Sequence, residues 1–444
     1  MRHEPARDRH MQQLLSPVDV KSIGAGFAGN TVNTVIFRAH GLLTAGTWQF
    51  GAYYVATDRL VVFRRSLETD IVETANLPGT YRIEDAHDSI SLGIDREGYL
   101  HISCDHHGTP LRYRRSKVPF EIAAFGSEIP MTGADEQQVT YPSFIVSPYG
   151  DRPLLCLYRT GYAGRGEAVL NAYDEKTQTW TRIASPLLSG THNKPWTSSP
   201  YWNHPATEVR GIIHLSFCWR THTLEGERKL VNNINIDYAQ SGDWGKTWRT
   251  SCDVPFQLPI TQVNSETILG LPPGSNLINQ TGSGIDSQGN LHVVFYADDE
   301  NGIPQYQHVW GSKGFWRRNV ISVRGDDFSL EGAGSLQLPM SRPEVVVDEL
   351  DRVYVIFRAD FTGQRMAAMR LTPPEYTPHQ SEIRILWDTN VAFTEPVIDH
   401  VRWAREKILT MLMQRNDQPA YDIGMEPTSA NVFVLDWNLG KDWN

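Results

Sequence analysis

The strongest constraint on this chain is an apolar strand that recurs along its length, usually just after an Asp- or Gly-containing turn. The clearest copies are IDREGYLHISC ending at Cys104, VRGIIHLSFC ending at Cys218, IDSQGNLHVVF ending at Phe295 and VDELDRVYVIF ending at Phe357. Weaker copies are TWQFGAY ending at Tyr53, GDRPLLC ending at Cys156 and EKILTMLM ending at Met413. Consecutive anchors lie 51 to 77 residues apart. The mean of about 60 exceeds the 40–45 residues of a four-stranded WD40 blade, so the loops must be long. Another strand-like segment precedes several copies, as in HDSISLGID from His87, YPSFIVSP from Tyr141, NQTGSGID from Asn279 and SRPEVVVD from Ser341. A third follows, often ending in an aromatic residue, as in AVLNAYDEKTQTW and PQYQHVWGSKGFW.

Short alternating strands, Gly/Asp/Pro turns and almost no 3.6-residue period make the chain all-β. Seven such units closing radially predict a single seven-bladed β-propeller with antiparallel blades, an arrangement that leaves only short sheet edges. Residues 1–28 read as an N-terminal extension and 29–444 as the propeller. Thr31–Arg38 and Asn431–Trp437 are expected to share the blade that closes the ring. The octapeptide Ser241–Trp248, SGDWGKTW, resembles the Asp-box of sialidase-type propellers. There the Asp would accept hydrogen bonds from turn N–H groups and the Trp would pack between blades, a folding device and not a catalytic one.

Composition excludes some functions. Net charge is −10 with no basic run, which argues against nucleic acid, since phosphate binding needs a concentrated cationic footprint. No stretch approaches the roughly 20 apolar residues needed to span a bilayer, so no membrane partner is expected. The opening MRHEPARDRHMQQLL is charged and lacks the apolar core of a secretory signal. The compartment stays open; secretion is expected if the chain is a mature form. Cys104, Cys156, Cys218 and Cys252 show no CxxC spacing, so free thiols are expected instead of disulfides or zinc. A monomer is expected.

Antiparallel neighbours put the start of an innermost strand and the end of the next on the same face. Innermost strands are expected to begin at Asn33, His87, Tyr141, Tyr201, Asn279 and Arg342. The following strands end at His106 or His107, Arg159, Arg220, Tyr296 and Arg358. Any one arginine there could be a solvated strand end or an inter-blade ion pair. Three at equivalent ends suggest a funnel for an anionic ligand, and a guanidinium fork suits carboxylate. A one-residue slip would turn any of these side chains away. His87 and the His106-His107 pair should lie close together. A neutral imidazole there can act as a general base; zinc ligation is the competing use, and would want three or four convergent ligands.

The segments AGNTVNTVIFRAH, HDSISLGIDREGYLHISCDHHGTPLRYRRS, NQTGSGIDSQGNLHVVFY, PQYQHVW and SRPEVVVD resemble the BNR-type seven-bladed propeller polysaccharide lyases, a group that includes rhamnose–glucuronate and ulvan lyases. The resemblance runs from about Gly29 to Trp437, and the two-histidine block is its most specific part. It implies β-elimination at a rhamnose–(1,4)-glucuronate linkage, giving an unsaturated 4,5-uronate from an acidic glycan, with no cofactor required for the chemistry and room for a structural Ca2+. It implies Arg220, with Arg159 or the less firmly matched Arg165, on the uronate carboxylate. A histidine, His107 or His106, would be the base, and His87 or Tyr158 the acid or positioner. Asn279, Tyr306, His308 and Arg342 would hold the neighbouring sugar, with Asn33 and Arg358 also on the substrate face. Two other classes stay open. A sialidase-like hydrolase would need a tyrosine nucleophile, and a glycan-binding propeller would need no catalyst, because fold does not give the reaction.

Overall fold

The recurring Asp is a turn-maker. In the computed structural model, Asp95 Oδ1 accepts from the backbone N–H groups of Glu97 at 3.0 Å and Tyr99 at 2.9 Å. Asp286 does the same for Gln288 and Asn290, and Asp348 for Leu350 and Arg352, all between 2.8 and 3.0 Å. The fourth turn residue is left-handed in each, with φ of 87° at Gly98, 79° at Gly289 and 58° at Asp351, which Gly and Asp tolerate best. The second carboxylate oxygen faces a side chain of the next strand: His101 Nε2 at 3.2 Å, His292 Nε2 at 3.4 Å and Tyr354 Oη at 3.2 Å. The repeated Leu-His or Val-Tyr therefore anchors a turn carboxylate inside the blade.

The structure describes residues 13–443 apart from 193–196, 226–227, 333 and 378–381. They form seven sheets, antiparallel but for one edge strand, arranged as a seven-bladed β-propeller. In chain order the first and second strands of each blade are Leu42–Ala45 and Trp48–Ala56 (blade I), Ser91–Ile94 and Leu100–Ser103 (II), and Val139–Ile145 and Leu155–Tyr162 (III). They continue with Ser199–Trp202 and Ile213–Glu225 (IV), Ser283–Ile285 and Leu291–Asp298 (V), Glu344–Val347 and Val353–Arg358 (VI), and Val397–Ile398 and Leu409–Met413 (VII). Every sequence anchor falls on a second strand or, at Cys104, one residue past it. Cys104, Cys156 and Cys218 are buried free thiols, and Cys252 is an exposed one.

Ring closure differs from the sequence expectation. The strand that pairs with Ser429–Trp437 is Asp19–Phe27, from Asp19 opposite Asp436 to Phe27 opposite Ser429, with a one-residue register shift between Ser22 and Gly24. Gln13–Leu14 runs parallel to Ile383–Ile385 at the edge of blade VI. The boundary at residue 28 is therefore wrong, because the segment before it belongs to two blades. Asp19–Phe27 is an outer strand with a half-exposed, glycine-interrupted sequence, which hides its β character. Thr31–Arg38 is a buried series of turns instead. Its backbone is claimed by side chains: Val32 N–H donates to Asn30, Ile36 N–H to Glu395 and Thr31 N–H to Gln418. Arg38 donates to the carbonyls of Asn33, Ala52 and Ile90, tying blades I and II to this segment. Val35 and Phe37 line one central cavity, while Ala39 and His40 line another, so the segment plugs the channel between them.

The carboxylate of the SGDWGKTW turn is bonded as its resemblance implied. Asp243 accepts from Thr247 N–H, Thr247 Oγ1 and Ser241 Oγ at 2.7–2.9 Å. The inter-blade contact comes from the other tryptophan: Trp244 Nε1 donates to Pro153 O at 2.8 Å, beside blade III, while buried Trp248 closes its own turn on Gly245 O.

Candidate active site

The segments leading into the innermost strands and the ends of the second strands meet on one face; His87, Asn279 and Arg342 precede the strands that begin at Ser91, Ser283 and Glu344 and do not open them. These segments and strand ends surround a cavity of about 240 Å³ whose walls include His87, His107, Tyr141, Tyr201, Arg220, Asn279, Arg342 and Arg358.

One wall is a carboxylate-bridged histidine pair. His87 sits in the short turn Ala86–Asp88, capped by Asp85, which accepts from His87 N–H at 2.9 Å. The same carboxylate reaches His87 Nδ1 at 2.6 Å and His107 Nδ1 at 2.5 Å, one oxygen to each. The two rings stack at 4.1 Å between centroids, and Phe37 stacks on the far side of His87 at 5.4 Å. An Nδ1–H bonded to carboxylate leaves the Nε2 lone pair available. Burial, then the neighbouring His107 charge, lowers the pKa of His87. The Asp85 carboxyl resists burial because the two imidazoles hold it below the usual range. These three residues also bring ligand atoms within 4.8 Å of one another, so a metal could compete for the same nitrogens.

The opposite wall is a tyrosine between arginines. Arg159 Nη1 donates to Tyr201 Oη at 2.8 Å, and Arg220 Nη1 approaches the same oxygen at 3.5 Å. Arg220 is fixed by Asn233 Oδ1 at 2.8 Å and Asn279 Oδ1 at 2.5 Å, with its guanidinium 4.2 Å above the Tyr201 ring. Burial pushes the Tyr201 phenol up, but the charges of Arg159 and Arg220 outweigh it and hold it below its ordinary value. Tyr141, 5.7 Å away between ring centroids, is raised by burial and by Tyr201. Among the described residues the hydrogen-bond partners of Arg159, Arg220 and Arg358 are all neutral. Arg342 is paired with Glu395 at 3.0 Å. The cavity thus presents unbalanced positive charge, suited to an anion.

The structure separates the predicted residues into two groups. His87, His107, Arg220, Asn279, Arg342 and Arg358 face the cavity. His106 does not: it is buried, with Nε2 bonded to Ser103 Oγ at 2.9 Å and accepting from Arg112 N–H. Tyr158 points between blades, its hydroxyl accepting from Arg182; the alternation of a strand sends it opposite to Arg159. Asn33 is spent on the backbone of Phe27 and Tyr54. Tyr306 donates to Ser341 O, and His308 bonds His292 Nδ1 at 2.9 Å inside blade V. Arg159 stands behind Tyr201 instead of on the wall. Arg165 is exposed at the tip of the hairpin whose Ala163 lines the cavity. Asp85 and Glu395 were missed. Asp85 carries a readable signal, an Asp two residues before a site histidine; Glu395 carries none, because it arrives from blade VII.

Next to His87, the buried Asp88 carboxyl has one oxygen without a partner, and its other oxygen lies 3.6 Å from Arg82 Nε. Burial, then the Asp85 charge, pushes its pKa up to about 8. The folded state therefore holds a proton that the unfolded state loses near pH 4, and stability falls as pH rises from about 4 to 8. Asp88→Asn should be more stable than wild type at pH 8, by about 1–3 kcal/mol, and the gain should vanish near pH 4. Denaturant titrations at the two pH values check this; an equal difference at both would contradict it.

The chain is similar in sequence to ulvan lyases, long isoform: 28% identical over 164 residues to that of Glaciecola sp. (strain KUL10), covering 35% of this chain and 16% of that protein. The protein of that name from Pseudoalteromonas sp. (strain PLSV) is 24% identical over 187 residues, covering 39% of this chain and 18% of the relative. The matches thus span less than a fifth of those relatives' length. Among solved structures, polysaccharide lyase Uly1 superposes with a TM-score of 0.66 at 14% identity over 90% of both chains. A PL25 ulvan lyase bound to -[GlcA(1-4)Rha3S]- gives 0.65 at 13% identity over 89% of this chain and 93% of that one; both show a shared fold. A family described as "BNR repeat-containing family member" matches residues 48–323, more than half of the chain, and the protein belongs to that family.

Proposed function

We propose that this propeller is a polysaccharide lyase that cleaves a rhamnose–(1,4)-glucuronate type linkage by β-elimination. The observation that carries this reading is one cavity holding an Asp85-bridged histidine pair and a Tyr201 hydroxyl flanked by Arg159 and Arg220. The similar sequences are named ulvan lyases, and one structure of the same fold is bound to -[GlcA(1-4)Rha3S]-, which supports the substrate side. Uronate elimination needs its carboxylate neutralised so that C5–H becomes acidic, a base for that proton, and an acid for the departing O4. Arg220, oriented by Asn233 and Asn279, pairs with the carboxylate and stabilises the developing enolate, usually the largest electrostatic contribution. His107 takes the C5 proton at Nε2, with Asp85 fixing its tautomer. Tyr201 protonates O4, and its phenolate is stabilised by two guanidiniums. Arg342, Arg358 and Asn279 hold the flanking sugar.

The test is incubation with rhamnose–glucuronate glycans such as gum arabic and ulvan, followed by ultraviolet absorbance of the new C4=C5 bond. Reducing ends without that absorbance would indicate hydrolysis, and binding without turnover a lectin-like propeller. Because arginine supplies the positive charge, turnover should survive exhaustive chelation in protein still folded by circular dichroism. Activity lost to chelator and restored by calcium or zinc would overturn that assignment.

A further inference from the structure

On the other side of the Thr31–His40 plug lies a second cavity of about 550 Å³, lined by residues of blades III to VII and including His40, His204 and His400. None of its lining residues has a role in the elimination proposed above. Two of these histidines meet a buried carboxylate just behind the wall: His204 just after the first strand of blade IV, Glu344 at the first position of the first strand of blade VI, and His400 opening the helix of blade VII. His204 Nδ1 lies 2.8 Å from Glu344 Oε1, His400 Nε2 lies 3.2 Å from Glu344 Oε2, and the two nitrogens are 3.4 Å apart. Glu344 is fully buried, yet neither of its oxygens has a hydrogen bond of acceptable geometry. The nitrogens approach by distance without aiming an N–H at the carboxylate. A buried carboxylate left this way is costly.

Those separations suit a different occupant. Ligands 2.0–2.2 Å from a tetrahedral zinc stand about 3.3 Å from each other, close to the three distances found here. Two imidazoles and one carboxylate are a zinc-type donor set with a fourth position open. Calcium, which takes six to eight oxygens, is poorly served by one carboxylate. We propose that His204, Glu344 and His400 bind one zinc-type divalent transition-metal ion, which cross-links blades IV, VI and VII around the channel. His40, which lines the same cavity as His204 and His400, has a buried Nδ1 without a partner.

The experiment strips the full-length protein with chelator, dialyses it against zinc chloride and measures bound zinc by elemental analysis. Wild type should retain one equivalent per chain and show a raised thermal midpoint. Glu344→Gln and His400→Ala should each lose the equivalent, whereas His107→Ala should keep it, which separates this site from the Asp85 cluster. Cobalt substitution of wild type gives a second readout that needs no variant: intense visible bands of a tetrahedral nitrogen/oxygen site are expected. Absence of stoichiometric zinc, or zinc lost in His107→Ala but kept in Glu344→Gln, overturns the proposal. The outcome is independent of whether the chain cleaves any glycan.

Discussion

Arg220→Ala should lower kcat on a confirmed uronate substrate by about 10²- to 10³-fold, the 3–4 kcal/mol typical of losing one donor to a developing oxyanion. The side chain is held in advance by Asn233 and Asn279 and lies over Tyr201, so no reorganisation is needed when charge appears on the substrate. Its removal also deprives the Tyr201 phenol of one of the two charges that hold it down, so the loss should fall on kcat as well as on binding. Arg220→Lys should recover only part, because an ammonium is a point charge and lacks the fork. Steady-state rates at saturating substrate, alongside circular dichroism, measure this. Near wild-type kcat in folded Arg220→Ala would remove Arg220 from the chemistry and leave Arg358 as the next candidate.

The second large effect is a contrast between neighbours. His107→Ala should reduce turnover by about 10²- to 10⁴-fold while leaving substrate binding within about tenfold, as expected of a proton-transfer group. His106→Ala should do the reverse. Its imidazole is buried between Ser103 Oγ and Arg112 N–H, so deletion should cost about 1–3 kcal/mol of stability through the abandoned hydrogen bonds, and the folded fraction should keep its rate. Denaturation midpoints and initial rates on the same preparations test both halves. If His107→Ala and His87→Ala both turn over normally, the base lies elsewhere, and Tyr201 and Tyr141 become the groups to replace.

Much of this was legible in the sequence because it depends on local chemistry. An Asp that caps its own turn, a left-handed Gly or Asp three residues on, and an alternating apolar strand are properties of a dozen residues, so a recurrence at seven anchors, clearest at Cys104, Phe295 and Phe357, was enough to count blades. The face carrying His87, Asn279, Arg342, Arg220 and Arg358 followed from strand direction alone. Which neighbour of a pair faces that cavity depends on parity, and parity at a strand end depends on how the chain leaves the sheet. That is why His106 and His107, or Tyr158 and Arg159, could not be told apart by pattern. Ring closure by Asp19–Phe27 was hidden because an outer strand needs only one apolar face, and Thr31–Arg38 misled because its β-branched residues are buried by a plug, not a sheet. The groups that set the electrostatics came only with the tertiary structure: Asp85 bridging two imidazoles, Arg159 and Arg220 closing on Tyr201, and Glu344 meeting His204 and His400. Each joins residues from different parts of the chain, and a sequence has no record of distance until the propeller closes.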